Sequence, residues 1–130
     1  MVIIVYRKLI SIYKEMDTTE FKKKFSFKDR LDQAERIKRR YPNRVPIIVN
    51  TGEGVPKLDK QKYLVPRDLK ASEFMCIIRK RITISAKESI YMFFNKKMVV
   101  SSAIMGKVYE DNKSEDDFLY VHICIENTFG

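Results

Sequence analysis

The chain is expected to be an α+β domain, one sheet of short strands with helices laid against one of its faces. Three observations point there. Apolar residues recur at helical spacing in some segments and at strand spacing in others. These segments follow the order helices, strand, strand, helix, strand, helix, strand, and a sheet covered by helices is the economical way to bury their apolar sides together. No internal repeat divides the 130 residues, a length suited to a single domain.

The elements follow in chain order. In Met1–Met16 the residues Val2, Val5, Tyr6, Leu9, Ile12, Tyr13 and Met16 fall on one helical stripe, with Arg7, Lys8, Ser11, Lys14 and Glu15 opposite. Two readings stay open: an amphipathic helix for a membrane or a partner, or an extension that folds onto the domain or precedes a true start at Met16. The chain is therefore divided into an extension, 1–16, and a domain, 17–130. A clearer helix begins at Ser26, an N-cap with Asp29 placed to complete a capping box. Phe27, Leu31, Ala34, Ile37 and Tyr41 form its buried stripe, and Lys28, Arg30, Arg36, Lys38, Arg39 and Arg40 its solvent face. Pro42 stops it, because the residue before proline avoids helical geometry.

Val45–Asn50 reads as a strand, with Pro46 marking a sheet edge or a strand start. Thr51-Gly52-Glu53-Gly54 is a turn, and Tyr63-Leu64-Val65-Pro66 a second short strand. A helix follows with Phe74, Ile77, Ile78 and Ile82 on one face. Ile90–Phe94 is apolar on both sides and reads as an interior strand. Ser102–Asp111 is a short helix carrying Ile104, Val108 and Tyr109, and Phe118–Ile125 is the closing strand.

Composition narrows the function classes. At 45% hydrophobic and 33% charged, the chain has enough apolar mass for a core and a surface suited to water. Its two cysteines, Cys76 and Cys124, are far apart and in no metal-ligand spacing, which suggests a reduced, cytoplasmic protein. A single histidine, His122, excludes a histidine-rich metal site. The longest apolar stretch, Met1–Tyr6, is far short of the roughly 20 residues of a spanning helix, and Arg7 and Lys8 follow it, the reverse of a secretory signal. The net charge of +9 is uneven. Residues 1–67 carry 17 Lys/Arg against 8 Asp/Glu, and residues 68–130 carry nine of each. A basic first half suggests an anionic partner.

Several stretches carry a resemblance to a known family. They are Tyr41–Val49 (YPNRVPIIV), Leu58–Leu69 (LDKQKYLVPRDL), Phe74–Ile82 (FMCIIRKRI), Ala103–Gly106 (AIMG), Glu115–Tyr120 (EDDFLY) and the ending Glu126–Gly130. From about Thr18 to Gly130 the chain resembles the autophagic ubiquitin-like modifiers, relatives of the GABA-receptor-associated protein. The resemblance implies a ubiquitin-like β-grasp fold preceded by extra N-terminal helices. It also implies a protein that is not an enzyme and needs neither cofactor nor metal. Its Gly130 would be activated by a ubiquitin-activating-like enzyme using ATP, passed to a conjugating-like enzyme and joined to phosphatidylethanolamine, with a deconjugating cysteine protease as a further partner. A soluble cytoplasmic domain would thereby become lipid-anchored on autophagosomal or related membranes, since two acyl chains hold where one is marginal. Because no residue follows Gly130, no trimming is expected before activation, provided the sequence is the encoded one.

The resemblance further implies a docking face for receptor and adaptor peptides with an aromatic residue and, three positions on, an aliphatic one. Peptides of this kind add as a strand to a sheet edge, here Lys62–Val65. The aromatic pocket would be lined by Ile37, Pro46, Ile48, Lys62, Leu64 and Phe118. The aliphatic pocket would use Tyr63, Val65, Pro66, Leu69, Phe74, Ile77 and Arg81. Arg44 and Lys60 would meet acidic flanks, a role that raises on-rate and selectivity more than affinity. Ile37, Phe74 and Ile77 also lie on stripes that a core alone would explain. The chain departs from the family pattern at Gln33, where an acid is usual, at Cys76, where an aromatic is usual, and in Asn95–Ser101, which lacks paired prolines.

Two rival readings come from the residues alone. Lys22-Lys23-Lys24 and Lys38-Arg39-Arg40 could serve a nucleic-acid or anionic-surface module without conjugation. No recognised nucleic-acid motif accompanies them, and no specific nucleic-acid partner is expected. His122 and Cys124, two apart in a strand, would share a face and could make a thiol hydrolase, but no oxyanion turn or paired carboxylate accompanies them.

Overall fold

The computed structural model describes residues 13–14, 16–17, 19–84 and 88–126. Local chemistry sets the helix starts. The Thr19 hydroxyl accepts a bond from the Lys22 amide at 3.3 Å and opens α1 (Glu20–Lys24). The Ser26 hydroxyl accepts from the Asp29 amide at 3.2 Å and opens α2 (Phe27–Arg40), the hydroxyl half of the expected capping box. Tyr41 ends α2 just before Pro42. The remaining elements are β1 (Arg44–Thr51), β2 (Lys62–Pro66), α3 (Ala71–Arg81), β3 (Ser89–Phe94), α4 (Met105–Asn112) and β4 (Leu119–Glu126).

The sheet order is β2-β1-β4-β3. β1 runs antiparallel to β2 and parallel to β4, with Ile47 opposite Leu119 and Thr51 opposite Ile123. β3 closes the other side antiparallel to β4. This is the β-grasp arrangement that the resemblance implies. Gly54 supplies the positive φ (80°) in the turn after β1. Asn95 and Lys96, both at positive φ, make a tight turn closed by paired bonds between Phe94 and Lys97.

Alternation along the strands divides the core in two. Val45, Ile47, Val49, Leu119, Val121 and Ile123 face α3 and α4 and pack with Phe74, Ile78, Met105 and Tyr109. Ile48 and Tyr120 face the other way and pack with Phe21, Ala34 and Phe118 beneath α1 and α2. The expectation of helices against one face is therefore corrected, since the sheet is covered on both.

Other expectations change for related reasons. β3 is an edge strand rather than an interior one. Its two-sided apolar pattern reflects its faces: Met92 and Phe94 enter the main core, while Phe93 lies with Met16 and Cys124 on the far side. Pro46 lies in a central strand, not at an edge. The neighbouring bonds Val49 N–H to Gln61 and Arg67 N–H to Asn43 place it at a position not bonded to β2. Pairing with β4 begins only at Ile47, so its missing N–H leaves no gap in either ladder.

The helix stripes are buried only where they cross the sheet. Ala34 is inaccessible, but Phe27 and Tyr41 at the ends of α2 are exposed, each with an arginine (Arg30 and Arg40) near its ring. Ile77 on α3 and Ile104 before α4 are also exposed, whereas Phe74, Ile78, Val108 and Tyr109 are buried. The expected stripe in Met1–Met16 falls largely outside the described residues. Of its members, Tyr13 stands 6.4 Å from the Phe93 ring, and Met16 is buried against Phe93 and Cys124.

Candidate peptide-docking edge

β2 is an outer strand, and the parity of its ladder decides what it offers. Odd positions bond to β1, so the backbone groups of Lys62 and Leu64 point away from the sheet. The Leu64 carbonyl is met by the Arg44 guanidinium at 3.5 Å. Pro66 ends the usable edge, because it has no N–H to donate.

The expected pocket residues sort onto the two faces of this edge. On the α2 side stand Lys62 and Leu64, with Ile48 and Phe118 buried behind them and Ile37 half-buried above. Pro46 is buried on the same side, opposite Leu64. The Lys62 ammonium donates to the Gln33 amide oxygen at 2.8 Å and lies 5.4 Å from the Phe21 ring. The departure at Gln33 thus keeps a hydrogen bond and loses an ion pair. On the α3 side stand Tyr63, Val65, Leu69, Phe74, Ile77 and Arg81. Val65 and Phe74 are buried, Ile77 is exposed, and Tyr63 meets Phe74 edge-on at 6.4 Å. Pro66 is exposed at the end of the strand. Phe74 thus lies deep on this side, and Ile77 and Arg81 lie at its surface. Lys60 is exposed just before β2.

A depression of about 490 Å³ beside the first residues of β2 has Glu20, Phe21, Phe25, Leu58, Gln61 and Lys62 among its lining residues. Gln61 donates to the Glu20 carboxylate at 3.1 Å. That bond, and then the charge of Lys57, holds the carboxyl below its ordinary range. Phe21 and Phe25 are not among the docking residues that the resemblance implies. Their signal was a pair four residues apart behind the capping residue Thr19, obscured by the lysine run between them.

Asp116 anchors α2 to the sheet. This buried carboxylate accepts from Arg30 at 2.6 Å, from the Tyr120 hydroxyl and from the Phe118 amide at 3.0 Å. Burial pushes the Tyr120 phenol up, and Asp116 adds to the shift. For Arg30, burial alone would lower the pKa, but its bonds to Tyr120 and Asp116 outweigh it. Arg30, expected on the solvent face, is therefore a half-buried link.

His122 and Cys124 share a face, as their spacing requires, and both are buried. His122 is buried with its Nδ1 3.0 Å from the Asn50 amide nitrogen, and Cys124 is buried beneath Met16 and Phe93. No group of metal-binding side chains and no helix long and apolar enough to cross a membrane occurs among the described residues. Gly130 lies outside the described residues.

Comparison with known proteins agrees with this architecture. The family model described as "Autophagy protein Atg8 ubiquitin like" matches residues 29–130. Autophagy-related protein 8 of Mycosarcoma maydis is 43% identical over 112 residues, covering 85% of this chain and 95% of that protein. The crystal structure of Trypanosoma brucei ATG8 superposes with a TM-score of 0.78 at 34% identity, covering 87% of this chain and 99% of that one. Plasmodium falciparum Atg8, solved in complex with a Plasmodium falciparum Atg3 peptide, superposes with a TM-score of 0.76 at 26% identity, covering 85% and 98%.

Proposed function

Since this chain belongs to the Atg8 ubiquitin-like family of autophagy proteins, and so is a ubiquitin-like modifier of autophagy, we propose that Gly130 is the residue joined to phosphatidylethanolamine and that β2 is the edge on which partner peptides dock. The chain is the group transferred, and other enzymes do the chemistry. The Gly130 carbonyl carbon is activated by an ATP-using enzyme, carried as a thioester and attacked by the lipid amine, which yields an amide. A cysteine protease reverses the attachment. Residues 17–130 form the modifier and residues 1–16 an amphipathic extension to it. The cytoplasmic form becomes peripheral on autophagosomal membranes through the two acyl chains of the lipid.

The observation that supports docking is the placement of the residues expected for two pockets on opposite faces of one sheet edge. In an extended peptide, side chains three positions apart point to opposite faces, about 10 Å apart along the strand. An aromatic-x-x-aliphatic peptide paired with Lys62 and Leu64 therefore presents its aromatic to the α2 side and its aliphatic to the α3 side. Lys60, Arg44 and Lys62 suit acidic flanks. Because the related Plasmodium protein was solved with an Atg3 peptide, the conjugating enzyme of this pathway is a natural partner for the same edge.

Incubation of the chain with the activating and conjugating enzymes, ATP and phosphatidylethanolamine liposomes tests the conjugation. A form lacking Gly130 is expected to give no lipid adduct by mass spectrometry. Equal adduct from both forms would refute it.

A further inference from the structure

One buried side-chain atom on the docking edge has no hydrogen-bond partner. The Tyr63 hydroxyl is the only buried side-chain nitrogen or oxygen without one among the described residues. The Arg81 guanidinium stands 5.7 Å from the Tyr63 ring and makes a long ion pair of 3.8 Å with Asp59. The pair therefore holds the Asp59 carboxylate against the guanidinium that stands over the Tyr63 ring, and burial raises the Tyr63 pKa. An unmade bond on a buried donor is unfavourable, and a pair at 3.8 Å between exposed side chains contributes little.

We propose that Tyr63, Asp59 and Arg81 form a partner-exchange switch that makes the aliphatic pocket selective for peptides with a carboxylate next to the aliphatic residue. In the unbound state Asp59 occupies Arg81 and the Tyr63 hydroxyl is unpaired. A peptide carboxylate takes the Arg81 guanidinium, and the released Asp59 accepts the Tyr63 hydroxyl. The unmade bond of the resting state thereby offsets part of the loss of the Asp59–Arg81 pair. A neutral peptide has nothing with which to displace Asp59. The inference rests on the docking reading of the β2 edge, but its core also has a peptide-free test.

That test is a change of sign. In the wild-type background Tyr63→Phe removes an unpaired hydroxyl and is expected to raise Tm by about 3 °C. In the Arg81→Gln background Asp59 is already released onto the hydroxyl, so the same substitution is expected to lower Tm by a similar amount. The same sign in both backgrounds would overturn the switch. Calorimetric titration of the full chain supplies the second test, with two synthetic aromatic-x-x-aliphatic peptides that carry Glu or Gln after the aliphatic residue. Wild type is expected to prefer the Glu peptide about fivefold. The ratio should fall to one in Arg81→Gln, shrink in Tyr63→Phe and grow in Asp59→Asn. A ratio indifferent to all three refutes the switch. Binding of neither peptide would refute the docking reading, and the Tm test would still decide the exchange.

Discussion

Asp116→Ala is expected to remove about 3–5 kcal/mol of folding stability, the usual consequence of deleting one member of a buried ion pair. The carboxylate is 1% exposed and satisfies three donors at once: the Arg30 guanidinium, the Tyr120 hydroxyl and the Phe118 amide. Its removal leaves a cation that is 13% exposed and two donors with no acceptor. Arg30 also donates to the Phe25 carbonyl at 3.2 Å, so the loss loosens the junction of α1 and α2 as well as their attachment to β4. Urea denaturation checks the magnitude, and amide exchange should show α2 opening before α3. A loss below about 1 kcal/mol would mean that water replaces the carboxylate and that the cluster holds little. Asp116→Asn keeps the shape and removes the charge, so it should fall between wild type and alanine.

The second large effect concerns binding. Tyr63→Ala combined with Leu64→Ala is expected to weaken aromatic-x-x-aliphatic peptides by on the order of 100-fold, since truncating two central contact residues typically loses a factor of ten or more each. The two side chains leave β2 on opposite faces, Leu64 towards the α2 side and Tyr63 towards Phe74. In the proposed docking each therefore strips one wall from one pocket, and backbone bonds to Lys62 and Leu64 would not by themselves choose a sequence. Circular dichroism must show a folded chain, because Tyr63 also packs on the main core. Unchanged affinity in a folded protein would place the docking surface elsewhere.

The order of elements and the segments that carry the family resemblance were legible because each is written in local terms: caps at Ser26, stops at Pro42, alternation in β4. What was not legible depends on what meets an element from outside it. The two-sided apolar pattern of β3 says that both faces are covered and nothing about a lateral neighbour, so an edge strand passed for an interior one. Arg30 belongs to a run of basic residues, and no local pattern distinguishes the one that turns inward to Asp116, 86 residues away. Phe27 and Tyr41 fit the α2 stripe but overrun the sheet beneath it. In the candidate site, the positions drawn from the resemblance came together on one edge. Phe21 and Phe25 escaped because a five-residue helix is too short to show a period.

The parallel pairing of β1 with β4 has a mechanical consequence. Under the proposed attachment and docking, a modifier held by a lipid at one end and by a peptide at its β2 edge is a link under tension. The tail leaves β4 after Glu126, and cargo pulls on β2, which grips β1, which grips β4. Where that load runs along the strands, the hydrogen bonds lie across it, so each ladder is sheared as a whole rather than unzipped bond by bond. Force-ramp pulling between Gly130 and an edge-bound peptide should detach the peptide while the domain stays folded, and unfolding before release would contradict it.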